Sequence, residues 1–548
     1  MVREYESAKS SRTNFESHWN EIAERFFPSH SQTFLGAGQT QGNKRTDKIL
    51  DSTAPIALGR FGSILDSLLT PRNQRWHRLK ASNPELNDVY EVRDWFDAVT
   101  DRLFQYRYSP SANFASQNQQ QYISLGAYGT GAMFIDELAG AKGLRYRNIH
   151  LSEVYFLENH QGLIDTAYRP FKLTARQAAQ KFDTKTKRKG SKTFPLPEKL
   201  AKAAKETPDK EFEFLHVVKP RTDRNVELRG FKGMAFSSHY LCLDSGPSIL
   251  SEGGYTTFPY AISRWIQAPG ETYGRSPAMD VLPAVKTLNE MKRTLLKAGH
   301  RAVDPVLLAH DDGILSNFSM RPGDINFGGV SADGRPLVQP LPIGKVEMAL
   351  ELMDAERMPI NDAFLVTLFQ ILIETPTMTA TEVLERTREK GILLAPTVGR
   401  QADEYLGPMI EREVNLLASQ GLLPPMPEAL REAEGEFKIE FDSPLSRAQR
   451  AEEAAGFFRT IDKAIEIAGV TMDMSLLDNY DLDAALREIA DIQGVPSRWL
   501  QKPDAIAAAR EQRAQQQALQ TAIQAAPGAA AVMKADAAAR EANAKSAP

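Results

Sequence analysis

Three stretches of this 548-residue chain hold side chains of the kind that do chemistry. The loop GAGQTQGNKRT, residues 36–46, invites a phosphate-binding reading. That geometry wraps backbone N–H groups round a phosphate, with a lysine directly after the second glycine. Here three residues separate Gly38 from Gly42, Asn43 stands between Gly42 and Lys44, and no hydrophobic strand precedes the loop. It reads as a flexible polar loop. His310-Asp311-Asp312 has metal-ligating residue types, but it stands before Gly313 and reads as an exposed polar turn. Cys242, in SSHYLCLD, is the single cysteine. It has no internal disulfide partner, and it reads as a small buried apolar residue in a strand rather than a nucleophile. There is no HExxH, no Cys/His cluster and no GxSxG. The expectation is a protein that is not an enzyme and needs neither metal nor cofactor.

The chain has 66 Lys and Arg against 70 Asp and Glu, a formal net charge of −4. A protein that grips phosphates by bulk charge is usually strongly positive, so that class is excluded. Hydrophobic content of 42% is ordinary for a soluble protein. No run of eighteen apolar residues is present, so no membrane span is expected. The first residues, MVREYESAKSSRTNFESHWNEIAERFFP, lack the apolar centre of a secretion signal. Low cysteine usage suits a reducing compartment, and the protein is expected to be made, or assembled, inside a cell.

The charge that remains is patterned on two helices. On the first, GRSPAMDVLPAVKTLNEMKRTLLKAGH, Lys286, Glu290, Arg293 and Lys297 follow steps of four, three and four and share a face. Val281, Val285, Leu288 and Leu295 share another. On the second, Glu347, Glu351 and Asp354 share a face, and Val346, Leu350 and Met353 form an apolar stripe. In a monomer these are two ordinary amphipathic helices; in a ring the charged faces would meet neighbours or a lumen. Ser276 suits the N-cap of the first helix, and Pro277 suits its first position, where a missing N–H costs nothing. Between the helices lies a segment rich in Pro and Gly. A helix pair with a small β module at its tip needs neighbours to bury its flanks.

The elements around this pair are legible from periodicity. Residues 3–27 read as one amphipathic helix through Tyr5, Ala8, Phe15, Trp19, Ile22, Ala23 and Phe26, ended by Pro28. Helices are expected over about 47–69, 88–107 and 112–128, with a strand at WHRLKAS between the first two. From 131 to 270 short aromatic and β-branched runs predict strands: AMFIDE, LRYRNIH, EVYFLEN, IDTAYRPF, FEFLHVVKP, HYLCLD and YAISRW. A helix at 174–182 interrupts them, with capping-box spacing between Thr174 and Gln177. A long helical segment follows over 379–421, with breaks near Gly391–Pro396 and Gly407-Pro408. Then come a Pro-rich linker, the strand FKIEF and further helices to about 493. The last 48 residues hold 19 alanines, which favour helix but cannot build a core alone. The fold class expected is α+β, mainly helical.

Taken in order, several pieces resemble the head-to-tail connector, or portal, proteins of short-tailed double-stranded DNA bacteriophages. They are RTNFESHWNEIAERFFP, DSTAPIALGRFGSILDSLLTPRNQRWHRL, GAYGTGAMFIDE, YGRSPAMDVLPAVKTLNEM with the following AVDPVLLA, and IEFDSPLSRAQR. The Ala-rich C-terminus matches no sharp motif. The resemblance implies a portal-type subunit in a ring of twelve, with wing, stem, clip and crown round an axial channel. It places the wing at 1–273 and 379–442 and the stem helices at 274–301 and 343–364. The clip falls at 302–342, a channel loop at 365–378, and the crown at 443–500. Residues 501–548 form a helical barrel or a flexible tail.

The implied function is to seat a ring at one capsid vertex through which double-stranded DNA is packaged and later ejected, without sequence specificity. The implied partners are further copies of the chain, the terminase large subunit as motor, tail adaptor and tail proteins, major capsid and scaffolding proteins, and internal core proteins. The implied location is the virion, after assembly in the host cytoplasm. Channel-lining candidates are Glu347, Glu351, Asp354, Leu372, Glu374, Thr375 and Thr377. Lys286, Arg293 and Lys297 are candidates for subunit or phosphate contacts. Asp311, Asp312, Arg321, Asp324 and Arg335 are candidates for motor and tail docking. A packaging ATPase or nuclease would need the phosphate loop or carboxylate cluster that is missing. A tail adaptor would differ in its copy number and position.

Overall fold

In a computed structural model the chain is described except at 32, 35–41, 43–44, 88, 139, 183–191, 226, 229, 245, 310–318, 320, 322–323, 326–328, 332, 342–345, 368, 370–395, 434, 442–443, 472–478, 493–498, 502–504 and 519–548. At 309, 346–347, 444–454, 468, 470–471 and 491 the backbone alone is described. The chain divides into two compact units. The first comprises Met1–His77, Asp101–Leu423 and Phe441–Leu445; the second comprises Arg78–Thr100, Pro424–Glu440 and Ser446–Pro548.

The N-terminal helix is two helices, α1 (Val2–Ser11) and α2 (Thr13–Phe26), broken at Arg12. The single periodic stripe serves two surfaces. Tyr5 and Ala8 of α1 pack on Tyr155, Tyr168, Leu215 and Val217 of a sheet, while α2 packs on α3 (Thr53–Leu69) and α5 (Phe114–Tyr128). Arg12 turns inward at the break, where its Nη1 donates to Leu151 O at 2.7 Å and Val154 O at 2.5 Å. Helix α3 starts later than periodicity predicts. Pro55 has no N–H for the Asp51 carbonyl, so a helix could not run from residue 47 through it. Instead Asp51 Oδ1 accepts from Thr53 N at 2.9 Å and opens the helix there.

After β1 (His77–Ala81) come α4 (Tyr90–Arg107) and α5 (Phe114–Tyr128). Gly129, at φ +75°, ends α5 in the left-handed conformation that glycine adopts without strain. Then follow β2 (Thr130–Glu137), β3 (Leu144–Asn148), β4 (Tyr155–Glu158), β5 (Ile164–Thr174), α6 (Ala175–Lys181), β6 (Lys192–Thr193), α7 (Glu198–Glu206), β7 (Glu211–Pro220), β8 (Phe236–Cys242), β9 (Ser248–Tyr255) and β10 (Tyr260–Arg264). Each of the seven expected strand runs forms a strand. They make two antiparallel sheets, ordered β10-β2-β3 and β4-β5-β7-β8-β9-β6. Thr174 and Gln177 form the expected capping box of α6. Cys242 is buried in β8, in a cluster with Ala178, Phe182, Leu200, Phe212 and Phe214. The α+β class holds.

The helix pair is α8 (Pro277–Val303) and α9 (Val346–Ala363), joined through the antiparallel strands β11 (Leu307–Ala309) and β12 (Val338–Pro340). Further on, a π-helical turn, Ala402–Leu406, leads into the helix Gly407–Ser419. Pro408 cannot donate to the carbonyl four residues back, and a wider turn relieves that mismatch. The expected break near Gly391–Pro396 falls almost wholly outside the described residues.

In the second unit β1 pairs with β13 (Phe437–Phe441). The helices Pro444–Thr471 and Leu482–Ile492 follow, then a helical stretch over 505–518. Arg510 holds Asp483 with two bonds, at 2.5 and 2.7 Å. No helix among the described residues is long and apolar enough to cross a membrane.

Candidate functional site

The first half of α8 is built into the first unit. Ser276 Oγ accepts from Met279 N at 3.1 Å and donates to Ala127 O at 2.9 Å, so one hydroxyl caps α8 and ties it to the end of α5. Pro277 takes the first helical position, as its spacing predicts. The chain enters through a close approach of two glycines: a Cβ on Gly274 would lie 2.2 Å from Gly129 O. Further along, Asn289 Oδ1 accepts from Leu50 N at 2.8 Å and Asp51 N at 3.1 Å. Asp51 Oδ2 in turn accepts from Arg357 of α9 at 2.6 Å. Burial alone would raise the Asp51 carboxyl, but the hydrogen bonds from Arg357 and Thr53 outweigh it and hold it below the usual range. Lys286 Nζ lies 2.5 Å from Glu21 of α2, whose carboxyl is held down by that contact against the effect of burial.

The second half of α8 and much of α9 carry apolar side chains into solvent. Val281, Val285 and Leu288 are buried, Leu295 is half-buried, and Leu296 is exposed. Beyond them Val303 is 89% exposed, Met348 63% and Met358 66%; Val306, Leu308, Leu341, Leu350 and Leu352 are exposed as well. The predicted stripe on α9 is therefore corrected. Met353 is buried, Leu350 is exposed, and the Val346 side chain lies outside the described residues. The buried face runs instead through Met353, Ile360 and Phe364. The Phe364 ring lies 5.8 Å from both Phe26 and Phe61. Packing on α2 and α3 decides which face turns inward, and α9's own periodicity does not contain that information.

The charged candidates fall in three groups. On α9, Glu351 is exposed and Asp354 accepts from Arg357 at 2.6 Å; the Glu347 side chain lies outside the described residues. On α8, Arg293 pairs with Glu290 at 2.7 Å, and Lys297 is exposed. Among the described residues no ion pair joins Lys286, Arg293 or Lys297 to Glu351 or Asp354. Between the helices Arg321 is exposed, Asp324 accepts from Ser319, and Arg335 N donates to Ser331 Oγ at 3.3 Å. Asp311, Asp312, Leu372, Glu374, Thr375 and Thr377 lie outside the described residues.

Sequence reasoning missed the polar groups that brace this frame. Arg107 and Glu413 form a fully buried ion pair at 2.5 Å, and Tyr146 OH donates to Glu413 at 2.5 Å. Arg107 Nη2 is 2.9 Å from His77 Nε2. Burial, then the Arg107 charge, push the His77 imidazole far down, so it is neutral. Asn289, Asp51 and Arg357 were also missed. Their partners are hundreds of residues away in sequence, beyond the reach of any local pattern. Among the described residues, no group of three or more His, Cys, Asp or Glu could hold a metal ion.

Comparison with known proteins agrees along nearly the whole chain. The profile of a family described as bacteriophage head to tail connecting protein matches residues 1–500. A probable portal protein of Bordetella phage BPP-1 is 28% identical over 523 residues, covering 94% of this chain and 91% of that one. A portal protein of Salmonella phage epsilon15 is 27% identical over 530 residues, with the same coverage. A chain from the virion of a native gene transfer agent particle aligns over 78% of this chain and 92% of its own, at 13% identity and a TM-score of 0.33.

Proposed function

The chain belongs to the bacteriophage head to tail connecting protein family, and from that premise we propose that it is the subunit of a portal. The portal sits at one capsid vertex, and double-stranded DNA passes through it into the head and later out. The observation that supports a ring most directly is the set of exposed apolar side chains on α8 and α9. Val303, Met348, Leu350, Leu352 and Met358 are exposed, whereas Val281, Val285 and Leu288 at the start of α8 are buried. Exposed apolar surface of this extent marks a contact with another protein surface. Flank-to-flank packing of identical copies would cover it and close a ring.

In this reading twelve copies form the ring. α8 and α9 form the stem and 302–342 the clip, where the terminase motor docks first and tail proteins later. Arg321, Asp324 and Arg335 belong to that docking surface, with Asp311 and Asp312. Glu347, Glu351 and Asp354 face the lumen, and Leu372, Glu374, Thr375 and Thr377 belong to a loop near the channel. Lys286, Arg293 and Lys297 serve subunit or phosphate contacts, Lys286 and Arg293 from positions where they also meet Glu21 and Glu290 of their own chain. Capsid, scaffolding and internal core proteins are the further partners, and assembly takes place in the host cytoplasm. The subunit itself hydrolyses nothing and needs no cofactor.

Negative-stain imaging and native mass spectrometry of the full chain test this. Closed rings with a central hole and a single copy number near twelve are expected. A chain that stays monomeric at high concentration would overturn the ring.

A further inference from the structure

Five arginines are buried among the described residues: Arg12, Arg107, Arg221, Arg264 and Arg412. Four of them have a carboxylate within ion-pair distance: Arg12 meets Glu16, Arg107 meets Glu413, Arg221 meets Asp223 and Glu252, and Arg264 meets Glu158 and Glu404. Arg412 forms no ion pair among the described residues, although it is 3% exposed. An arginine is rarely buried without a counter-charge, because desolvating the cation costs free energy that neutral neighbours do not offset.

Arg412 stands on the helix Gly407–Ser419 and reaches toward β2 and the bend between β9 and β10. Its Nε donates to Ile135 O at 3.4 Å, and its Nη1 donates to Thr257 O and Oγ1 at 3.4 and 3.3 Å. These are long bonds to neutral oxygens. Its Cζ lies 5.0 Å from the centre of the Tyr255 ring, a favourable contact but not a counter-charge. Nη2 donates to nothing among the described residues, and the Thr257 hydroxyl, an acceptor here, keeps its own hydrogen. Asp136 and Glu137, at the end of β2, act on Arg412 without forming an ion pair, and Asp136 Oδ1 is engaged by Glu137 N at 2.9 Å. Burial pushes the guanidinium below its usual value, and Tyr255, Asp136 and Glu137 offset part of that effect.

We infer that Arg412 holds a small, singly charged anion from solution, of the size of chloride, at the bend between β9 and β10. Nη2 and the Thr257 hydroxyl are the donors that face it. A phosphate or other multiply charged anion fits less well, because Asp136 and Glu137 repel added negative charge. The bound anion fastens the helix Gly407–Ser419, which also carries Glu413, to the two strands beside it. The assignment does not depend on ring formation.

Chlorine NMR of the full-length protein in sodium chloride tests it, since chloride exchanging into a protein site broadens the resonance. The parent is expected to show an excess linewidth with a component that saturates as chloride is raised. Arg412→Gln, which keeps hydrogen-bonding groups without the charge, is expected to lose that component. A second measurement needs no variant. Exchanging chloride for fluoride at constant ionic strength should lower the parent's urea midpoint, the opposite of the general effect of strongly hydrated salts. Equal linewidths in the parent and a folded Arg412→Gln, or a parent midpoint that does not fall in fluoride, would each overturn the inference. So would a chloride effect that appears only in Asp136→Asn, because the counter-charge would then lie within the chain.

Discussion

Arg107 and Glu413 are each fully buried and paired with each other, so neither can be removed alone without stranding its partner. Replacing Glu413 with Gln leaves a guanidinium uncompensated in the core, at a cost of about 3–5 kcal/mol. A fall in the urea midpoint by an amount of that order is expected. An unchanged midpoint would show that the pair is not buried in solution. Histidine chemistry makes a second prediction at this scale. The His30 and His150 rings lie 4.7 Å apart. Burial, chiefly, lowers His30 to about 4 and His150 to about 3, from an ordinary 6.5. Between pH 6.5 and 4 the unfolded chain therefore binds more protons than the folded one. Stability is full above 6.5 and is lost as pH falls, by about 1.4 kcal/mol per pH unit for each histidine. The lowered carboxyls, Asp51 and Glu21 among them, act only below their ordinary values of 3.8 and 4.5, so above pH 4.5 the histidine effect is read without them. The adjacent rings titrate as a pair. The double variant His30→Gln, His150→Gln should make the fall of the denaturation midpoint between pH 6.5 and 4.5 shallower, the remaining slope belonging to the other lowered histidines, His77 first among them, and an unaltered slope would refute the assignment.

The junction between α5 and α8 rests on backbone proximity. Gly129 needs φ +75°, and a Cβ there would meet Gly274 O at 2.3 Å; a Cβ on Gly274 would meet Gly129 O at 2.2 Å. Both obstacles are main chain, so neither can rotate away. Gly274→Ala should destabilise the first unit by about 2–4 kcal/mol, combining displacement of packed backbone with strain. A melting temperature within a degree of the parent would contradict the close approach. This junction also marks how far sequence reading reaches. Ser276-Pro277 and Thr174/Gln177 were legible because a cap and its partner lie within three residues. The strand β9 was not. Ser248–Tyr255 carries two glycines, which weaken a strand pattern, yet Gly254 is required where a Cβ would meet Phe231 O at 2.9 Å and Phe236 O at 3.0 Å. The inward face of α9 was misread for a related reason, since Phe364 faces inward only because Phe26 and Phe61 receive it. Local periodicity recovered the elements, but partners distant in sequence decide their faces and junctions. The site candidates on α8 and α9 were legible as charge patterns, whereas the bonds from Asn289 to the backbone at Leu50 and Asp51 left no local trace.

At the scale of the molecule, a net charge of −4 per chain constrains what a conduit for DNA can be. A pore that neutralised many phosphates would release many counterions and hold the DNA tightly, while one that neutralised few would let it slide. The exposed acidic positions Glu351 and Asp354, with the sparse cations Arg293 and Lys297, fit the second case. Two measurements follow for the assembled protein, both by fluorescence anisotropy with duplex DNA across a salt series. The parent should bind weakly, with a shallow dependence of log affinity on log salt. The double variant Glu351→Lys, Asp354→Lys should bind more tightly, and its slope should steepen by about 0.9 for each phosphate newly contacted. If α9 faces the lumen, the change appears only in rings that admit DNA, and the same variant kept monomeric gains far less. An unaltered slope in the assembled ring would place Glu351 and Asp354 away from the DNA path and reassign α9's acidic face to contact between subunits.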